Sequence, residues 1–276
     1  MLLFCILNVK GQSDYSLELN IKSATADKMT INETGLGVLF FNKIDTRNSF
    51  TNAIRYKKTK VGYDMATYNL QHDLNDFNSL ENDFQFNHEF NSKTSVNINL
   101  KPTINFETTV GFSDIQFLGG ASLNYYFNAK NNLSIGVARD VYFSQVSIVP
   151  TIKYSALLTT KTMLSIGFPN SQLTYSHNQK NIFTLNNKFQ GAVFNLDKRY
   201  INNNTEDVTS MTYSQMATTF EYARNLDKYW SINFQAGYNF NNNYYFSNSD
   251  GYTAYDFNNT NGYTLNVGLK FNINKQ

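Results

Sequence analysis

Histidines are the first residues to consider for chemistry, because imidazole is the commonest metal ligand and a frequent general base. The chain has three, His72, His88 and His177, and they are far apart in the sequence. A metal site needs several ligands at short, recurrent spacings, and these histidines offer none. His72 and His177 also fall in segments with the composition of connections. The sequence therefore predicts no catalytic, cofactor-binding or metal residue.

His88 leaves one alternative open. It shares an alternating face with Phe84, Phe86 and Phe90, so on a membrane barrel it would face lipid, as the catalytic His and Ser of outer-membrane lipid hydrolases do. The next outward neighbour is Phe90, so this strand supplies no serine nucleophile, although an adjacent strand could. We favour a histidine at the membrane interface and keep lipid hydrolysis as the less favoured hypothesis.

Charged residues of both signs occupy the opposite, inward phase. Paired carboxylates can do acid–base work, but mixed charges in a barrel more often form a network that lines the interior, and we predict such a network. A short basic run, 55–60, is interpreted as a strand rim or solvated face. The inward charges are Glu81, Asp83, Glu89, Lys101, Lys153, Lys188, Glu221 and Lys270. The basic run contains Arg55, Lys57, Lys58 and Lys60.

The composition indicates what kind of fold must position these charges. Of 276 residues, 41% are hydrophobic and 16% aromatic, so the chain is moderately polar yet rich in residues that favour strands. This balance is typical of a barrel in lipid, which has aromatic belts outside and a polar lumen inside. The net charge of +2 is too small to indicate nucleic-acid binding.

Strict apolar–polar alternation recurs along the chain and predicts membrane-crossing strands. The clearest examples are the segments 230–240 and 263–273, in which aromatic and aliphatic residues alternate with Asn, Gly, Gln, Ser, Thr and Lys. The fold class is therefore all-β, a transmembrane antiparallel up-and-down β-barrel of about 14 strands, with 12 as the alternative. A soluble sandwich is disfavoured, because its stripes would be shorter and its turns more regular.

Connections are predicted to alternate between tight turns and long loops, as in outer-membrane barrels. The tight set is 91–93, 128–131, 177–180 and 225–228, and the long set is 71–79, 107–114, 198–210 and 241–261.

Three features interrupt the apolar–polar alternation of the strands. Pro102 and Pro150 must lie at a bulge or near a rim. The alternation changes phase between Tyr56 and Val61, which indicates a bulge or an exit from the membrane, and Gly191 is a further candidate bulge.

The N-terminal segment, residues 1–11, is interpreted as a truncated signal peptide, because an apolar run ends in Val9-Lys10-Gly11. Residues 12–276 would then form a single barrel domain. Cys5, the only cysteine, would leave with the signal peptide.

The sequence resembles an uncharacterised outer-membrane β-barrel family, a domain of unknown function common in Bacteroidota. The resemblance rests on strand order and on the segments Leu100-Lys101-Pro102, Ile166-Gly167-Phe168-Pro169, Leu173-Thr174-Tyr175 and Gly191-Ala192-Val193-Phe194. It implies a fold and a compartment, the bacterial outer membrane, and it implies no functional residue.

Three functional hypotheses follow. About 14 strands lie between the solid eight-stranded barrels and the open 16-stranded ones, so the first is a narrow porin-like channel for small polar solutes. The second is a non-conducting scaffold that binds a ligand or partner through its outer loops, with the aromatics of 241–261 as candidate contacts or as strand extensions. The third is the lipid hydrolase. Expected partners are outer-membrane lipid and the barrel-assembly machinery, without nucleic acid or cofactor, and the oligomeric state stays open.

Overall fold

A computed structural model describes residues 12–64, 74–202, 206–257 and 261–274. The predicted signal segment, Cys5 and His72 lie outside these ranges. No helix within them is long and apolar enough to cross a membrane. The strands are β1 Gln12–Thr25, β2 Met29–Lys43, β3 Asn48–Tyr63, β4 Asp76–Asn91, β5 Thr94–Phe106, β6 Ile115–Asn128, β7 Asn131–Tyr142, β8 Gln145–Thr159, β9 Thr162–Phe168, β10 Asn170–Ser176, β11 Asn181–Asn202, β12 Glu206–Asn225, β13 Trp230–Ser247, β14 Thr253–Asp256 and β15 Gly262–Asn274.

Fourteen of these strands close into one antiparallel ring. Each strand pairs with its sequence neighbour, β13 pairs with β15, and β15 pairs with β1. Within the described residues, the short β14 pairs only with the end of β13 and stands outside the ring. The predicted 14-stranded barrel is confirmed, and the alternative of twelve is wrong. Both ends of the described chain, Gln12 and Asn274, lie at the same end of the barrel, which we call the terminal end.

The outer surface is an apolar belt, because every second side chain of a strand points outward. Leu17 and Ile21 on β1 are exposed, as are Leu265 and Val267 on β15, whereas their sequence neighbours point into the lumen. Near the terminal end, outward rings meet across strands and form an aromatic girdle of the kind found at membrane interfaces. Ring contacts in the girdle join Tyr15 with Phe40, Phe40 with Phe50, Phe50 with Phe84, Tyr175 and Tyr222 with Phe183, and Trp230 with Phe271.

The four predicted tight turns all lie at the terminal end, between paired strands. The opposite end is less regular than predicted, because short connections at 143–144 and at Pro169 occur there beside long segments. Two predicted loops are largely strand: β11 and β12 extend into 198–210, and β13 continues to Ser247. Strand length therefore varies strongly around the ring, from seven residues in β9 and β10 to 22 in β11.

The upper parts of β11, β12 and β13, together with β14, form a separate layer that we call the cap. β11 pairs with β10 only as far as Lys188 and then crosses the mouth, where Asn195 pairs in parallel with Phe106 at the end of β5. In the wall, β5 and β11 are separated by five strands, so this pairing is possible only if β11 passes over the lumen.

All three long strands bend at the same level. Gly191 lies where β11 passes β7, and a Cβ there would be 2.7 Å from Val141 Cγ1. The β12–β13 register shifts between Ser214 and Met216, and Asn241 of β13 has a φ of 49°. Gly191 is therefore not at the predicted bulge, since its pairing with β12 is unbroken. It permits a close crossing that any side chain would obstruct.

A hydrophobic plug fills the space between the cap and the upper inward faces of β2 to β4. Its presence explains the change of phase between Tyr56 and Val61. The β2–β3 register is continuous through this segment, so the strand does not bulge. It leaves the apolar belt, and its inward face becomes apolar because it packs against the cap. The plug consists of Met29, Val61, Tyr63, Leu74, Phe77, Ala192, Phe194, Val208, Met211, Tyr213, Tyr244, Phe246 and Phe257.

The two prolines are accommodated differently. Pro150 lies in the part of β8 beyond the end of β9, whose pairing begins at Ile152. One side of β8 is therefore a free edge at Pro150, which suits a residue without an N–H, and the expected rim position is confirmed. Pro102 is not at a bulge: the β4–β5 pairing is interrupted opposite it, but the register is the same on both sides.

Candidate functional site: the capped lumen

Below the plug, the lumen carries a network of charged side chains that we call the charged ladder. Neighbouring strands place these groups side by side at two levels. The lower level joins Lys270 to Glu18 at 3.4 Å and Arg55 to Glu81 at 3.2 Å. The ladder comprises Glu18, Lys22, Glu33, Arg55, Lys57, Glu81, Asp83, Lys101, Asp140 and Lys270.

Glu33 is the centre of the upper level. Its carboxylate lies 3.2 Å from Lys22 Nζ and 3.2 Å from Lys57 Nζ, and it accepts a hydrogen bond of 3.0 Å from the Tyr213 hydroxyl of the cap. The Glu33 side chain is only 10% exposed. A buried carboxylate between two ammonium groups is held by charge-assisted bonds, and through Tyr213 it also joins the wall to the cap.

Arg55 organises the lower level. It pairs with Glu81 at 3.2 Å, approaches Asp83 at 3.7 Å and reaches Glu18 two strands away at 4.0 Å. Gly37 of β2 stands between β1 and β3 at this level, and a Cβ there would lie 3.2 Å from Arg55 Cγ. The absence of a side chain at Gly37 leaves the guanidinium room to cross β2.

The structure confirms a mixed-charge lumen and corrects one interpretation. Arg55 and Lys57 belong to the ladder rather than to a solvated face, whereas Lys58 points outward to Asp76 at 3.5 Å. Of the predicted inward charges, Glu81, Asp83, Lys101 and Lys270 belong to the ladder. Sequence reasoning missed Glu18, Lys22, Glu33 and Asp140, although each has the inward parity of its strand.

Three adjoining cavities run through the lumen. Two, of about 290 and 350 Å³, flank the ladder and share Lys22, Glu33 and Lys57. A third, of about 270 Å³, lies on the β5 to β9 side and is lined largely by amides and hydroxyls. It meets the second at Tyr142 and Pro169. The interior is therefore hollow, in contrast to the packed lumen of the smallest barrels.

A polar latch fastens the edge of the cap to the connection between β5 and β6. Asp197 accepts hydrogen bonds from the amides of Thr108 and Thr109, at 2.9 and 2.8 Å, and from the Thr109 hydroxyl at 2.9 Å. Burial alone would raise the pKa of Asp197, but these hydrogen bonds outweigh it and hold the pKa below its ordinary value. The latch is therefore strongest with Asp197 ionised.

We expect Asp197→Ala to raise the hydrogen-exchange rates of the Thr108 and Thr109 amides by about fivefold at neutral pH, because both lose a charge-assisted bond. Since the folded-state pKa is lowered, the contribution of the latch is complete above the ordinary aspartate pKa of about 3.9 and is lost as the pH falls below it. The wild type should therefore approach the variant only on strong acidification.

The matched control is Asp45→Ala. Asp45 accepts amide hydrogen bonds from Arg47 and Asn48 in a terminal-end turn, and its pKa is lowered by hydrogen bonds from Asn48 and Arg47. Its loss should not change exchange at Thr108 or Thr109. Equal effects of the two substitutions would show that Asp197 is not a specific latch.

The family comparison agrees with this architecture. The model of a domain of unknown function (DUF6268) matches residues 8–273. The chain belongs to this family. The expected membership of an uncharacterised family is thereby confirmed, and the occurrence of that family in Bacteroidota stays a prediction. No curated protein sequence matches the chain.

Among solved structures, the barrel is similar to porins and channels. The NanC porin has a TM-score of 0.45 at 8% identity, with 92% of this chain and 98% of that chain covered. An outer-membrane channel from Pseudomonas putida F1 has a TM-score of 0.48 at 9% identity, with 95% and 96% covered. The KdgM porin has a TM-score of 0.39 at 8% identity, with 92% and 98% covered.

Of the three histidines, His88 and His177 lie within the described residues, the first on β4 and the second between β10 and β11. His88 lies in the terminal-end half of β4, where Nδ1 is 2.7 Å from Asn48 Oδ1 and the ring packs edge-on against Phe90. Within the described ranges, no serine side chain forms a hydrogen bond with His88. His177 contacts Tyr175 in the predicted turn. Within the same ranges, no group of three or more His, Cys, Asp and Glu side chains is arranged to hold a metal ion.

Proposed function

We propose that this DUF6268 protein is a narrow outer-membrane channel for small polar solutes or ions, held closed in the present conformation by its cap. The observation that carries the proposal is the chain of adjoining cavities inside the ring. A barrel used only as a membrane anchor could fill this space with side chains. Here the space is kept open and is lined by charges and amides.

The proposed location follows from the surface of the barrel. An apolar belt with an aromatic girdle suits a bilayer, and the belt is crossed by strands that leave no free backbone groups over most of the ring. Long segments lie at the cap end and tight turns at the terminal end. By the usual asymmetry of such barrels, the cap faces outward and the termini face the periplasm.

The first test is conductance in planar bilayers, with the refolded chain verified by its heat-dependent shift on a denaturing gel. We expect the wild type to show rare, low-conductance openings, because the plug is a hydrophobic constriction. Gly191→Val should increase the open time, since its side chain meets Val141 and opposes the bend of β11. Persistent silence of both folded proteins would contradict the channel.

The scaffold hypothesis keeps one supporting observation. Most aromatics of 241–261 do not form a free surface, because Tyr244, Phe246 and Phe257 are buried in the plug and Tyr255 packs against it. Exposed apolar residues do occur nearby at the cap end: Phe112 is 95% exposed, and Val110 and Tyr252 are also exposed. If both proteins above are silent, this surface becomes the favoured functional site.

A further inference from the structure

The wall of the barrel is low at one place. β9 and β10 have seven residues each, whereas the flanking β8 and β11 have 15 and 22. At about 3.3 Å per residue and a tilt of about 40°, a seven-residue strand rises roughly 18 Å. The apolar band of an outer-membrane barrel is about 25 Å tall. The hairpin at Pro169 therefore ends within the hydrocarbon on the cap side.

Four aromatic side chains fill the gap above this hairpin, and we call them the lateral window: Tyr142, Phe143, Phe168 and Phe189. The Phe143 ring lies 5.1 Å from that of Phe189 and 6.3 Å from that of Phe168, and Phe168 lies 5.5 Å from Phe189. At this point side chains, rather than paired strands, separate the lumen from lipid. Side chains change rotamer quickly, whereas paired strands do not separate easily.

The backbone at Phe143 supports a specific role for the window. Phe143 has a φ of 50° and Ser144 a φ of 70°, and a positive φ is costly for a bulky side chain. The turn is fixed to the cap by a 2.9 Å hydrogen bond between the Ser144 and Ser214 hydroxyls and by the Tyr245 hydroxyl, which donates to the Ser144 carbonyl. Phe143 nevertheless remains 62% exposed.

Immediately behind the window lies the 350 Å³ cavity, which has an excess of positive charge. Its lining includes four lysines and two carboxylates. Glu33 is paired with Lys22 and Lys57, and Asp140 with Lys101. Within the described residues, Lys188, next in sequence to Phe189, forms no salt bridge or hydrogen bond, and the carboxylates of Glu221 and Glu33 interact with it only at longer range. A cavity of this kind offers an ammonium group to an anion.

We infer that the cavity and the lateral window bind an anionic single-chain amphiphile. Its carboxylate head contacts Lys188, and its alkyl chain passes between Phe143, Phe168 and Phe189 into the surrounding lipid. This inference adds a ligand and a second route to the channel proposed above. It does not depend on conduction, because binding requires only the cavity and the window.

The test is calorimetric titration of the protein in lipid nanodiscs, with empty nanodiscs subtracted. Octanoate has both the head and the chain, octanol has only the chain, and acetate has only the charge. We expect saturable octanoate binding, with octanol and acetate each weaker by about tenfold or more, because each lacks one of the two contacts. Acetate or octanol binding as tight as that of octanoate would overturn the assignment.

Three lysine variants locate the site. Lys188→Met should weaken octanoate binding by about tenfold, and Lys188→Arg should restore most of it. Lys153→Met is the matched control, because Lys153 lies in the adjoining cavity on β8 and is not among the residues that line the charged one. Octanoate binding that survives Lys188→Met in a protein with a normal heat-dependent gel shift would refute the proposal. Binding without conductance would leave it standing and contradict only the channel.

Discussion

Removal of the cap should turn an almost silent barrel into an open pore. In the proposed variant, residues 192–213 are replaced by Asn-Gly, so that Gly191 and Ser214, which already face each other across β11 and β12, are joined by a two-residue hairpin turn. The substitutions Tyr244→Ser and Phe246→Thr replace the two plug aromatics of β13, which would otherwise be left exposed. We expect single-channel conductance to rise by about tenfold, because water enters where a hydrophobic constriction stood.

The physical reason is that the plug is built of aliphatic and aromatic side chains, whereas the lumen below it is lined by charges. The deletion removes Phe194 and Met211, which are fully buried, and also Tyr213. The charged ladder stays in place and becomes the narrowest part of the pore. Because the ladder carries both signs, the opened pore should discriminate only weakly between small cations and anions.

The matched control fastens the cap instead of removing it. Asn195→Cys and Phe106→Cys place thiols at the two positions that pair between β11 and β5. With the disulfide formed, openings should become rarer than in the wild type, and reduction should restore them. If the cap-deleted barrel folds and remains silent, the lumen is not a conduction path, and the scaffold hypothesis takes its place.

Much of the barrel could be predicted from the sequence, because a lipid-facing strand has no freedom in its pattern. On β15, Tyr263, Leu265 and Val267 alternate with polar residues, and the structure exposes all three. An Asx side chain in each of the four predicted tight turns also gives a local signal: Asn128 and Asp227, for example, both accept amide hydrogen bonds there. These features depend on neighbours within a few residues, so they can be predicted without knowledge of the rest of the fold.

The cap could not be predicted in the same way, because its contacts join distant parts of the chain. Phe77 packs against Phe194, and Tyr63 bonds to Tyr244 at 2.8 Å. On β11, alternation alone does not show whether an upper strand stands upright or bends across the mouth. The phase change after Tyr56 and the isolated Gly191 were the two available signals, and each is explained only when both sides of the plug are seen.

The charged ladder was only partly predicted, because successive side chains of a strand point to opposite faces. Arg55 and Lys57 share one face of β3, and Lys58 and Lys60 share the other, so a cluster that is contiguous in sequence is divided by the pleat. As one basic run, the four residues gave no indication that Arg55 and Lys57 point into the lumen. Glu33, the carboxylate partner of Lys57, is the only charged residue between Met29 and Asn42 on β2, and nothing in its local sequence identifies it as the centre of the network.

Glu33→Gln should cause the largest loss of stability among the single substitutions in the lumen. Glutamine keeps the shape and can still accept from Tyr213, but Lys22 and Lys57 lose their shared counter-charge. Removing one member of a buried ionic group leaves uncompensated charge, which costs about 3 kcal/mol or more. We expect a decrease of about 3 kcal/mol in the free energy of unfolding, measured by urea titration of the heat-modifiable folded band and of Trp230 fluorescence.

Glu81→Gln is the matched control, because Glu81 is 29% exposed and its partner Arg55 keeps Asp83 and Glu18. A loss below about 1 kcal/mol is expected there. Similar losses for the two variants would show that lumen water screens both sites equally, and that Glu33 is not the point where the wall holds the cap.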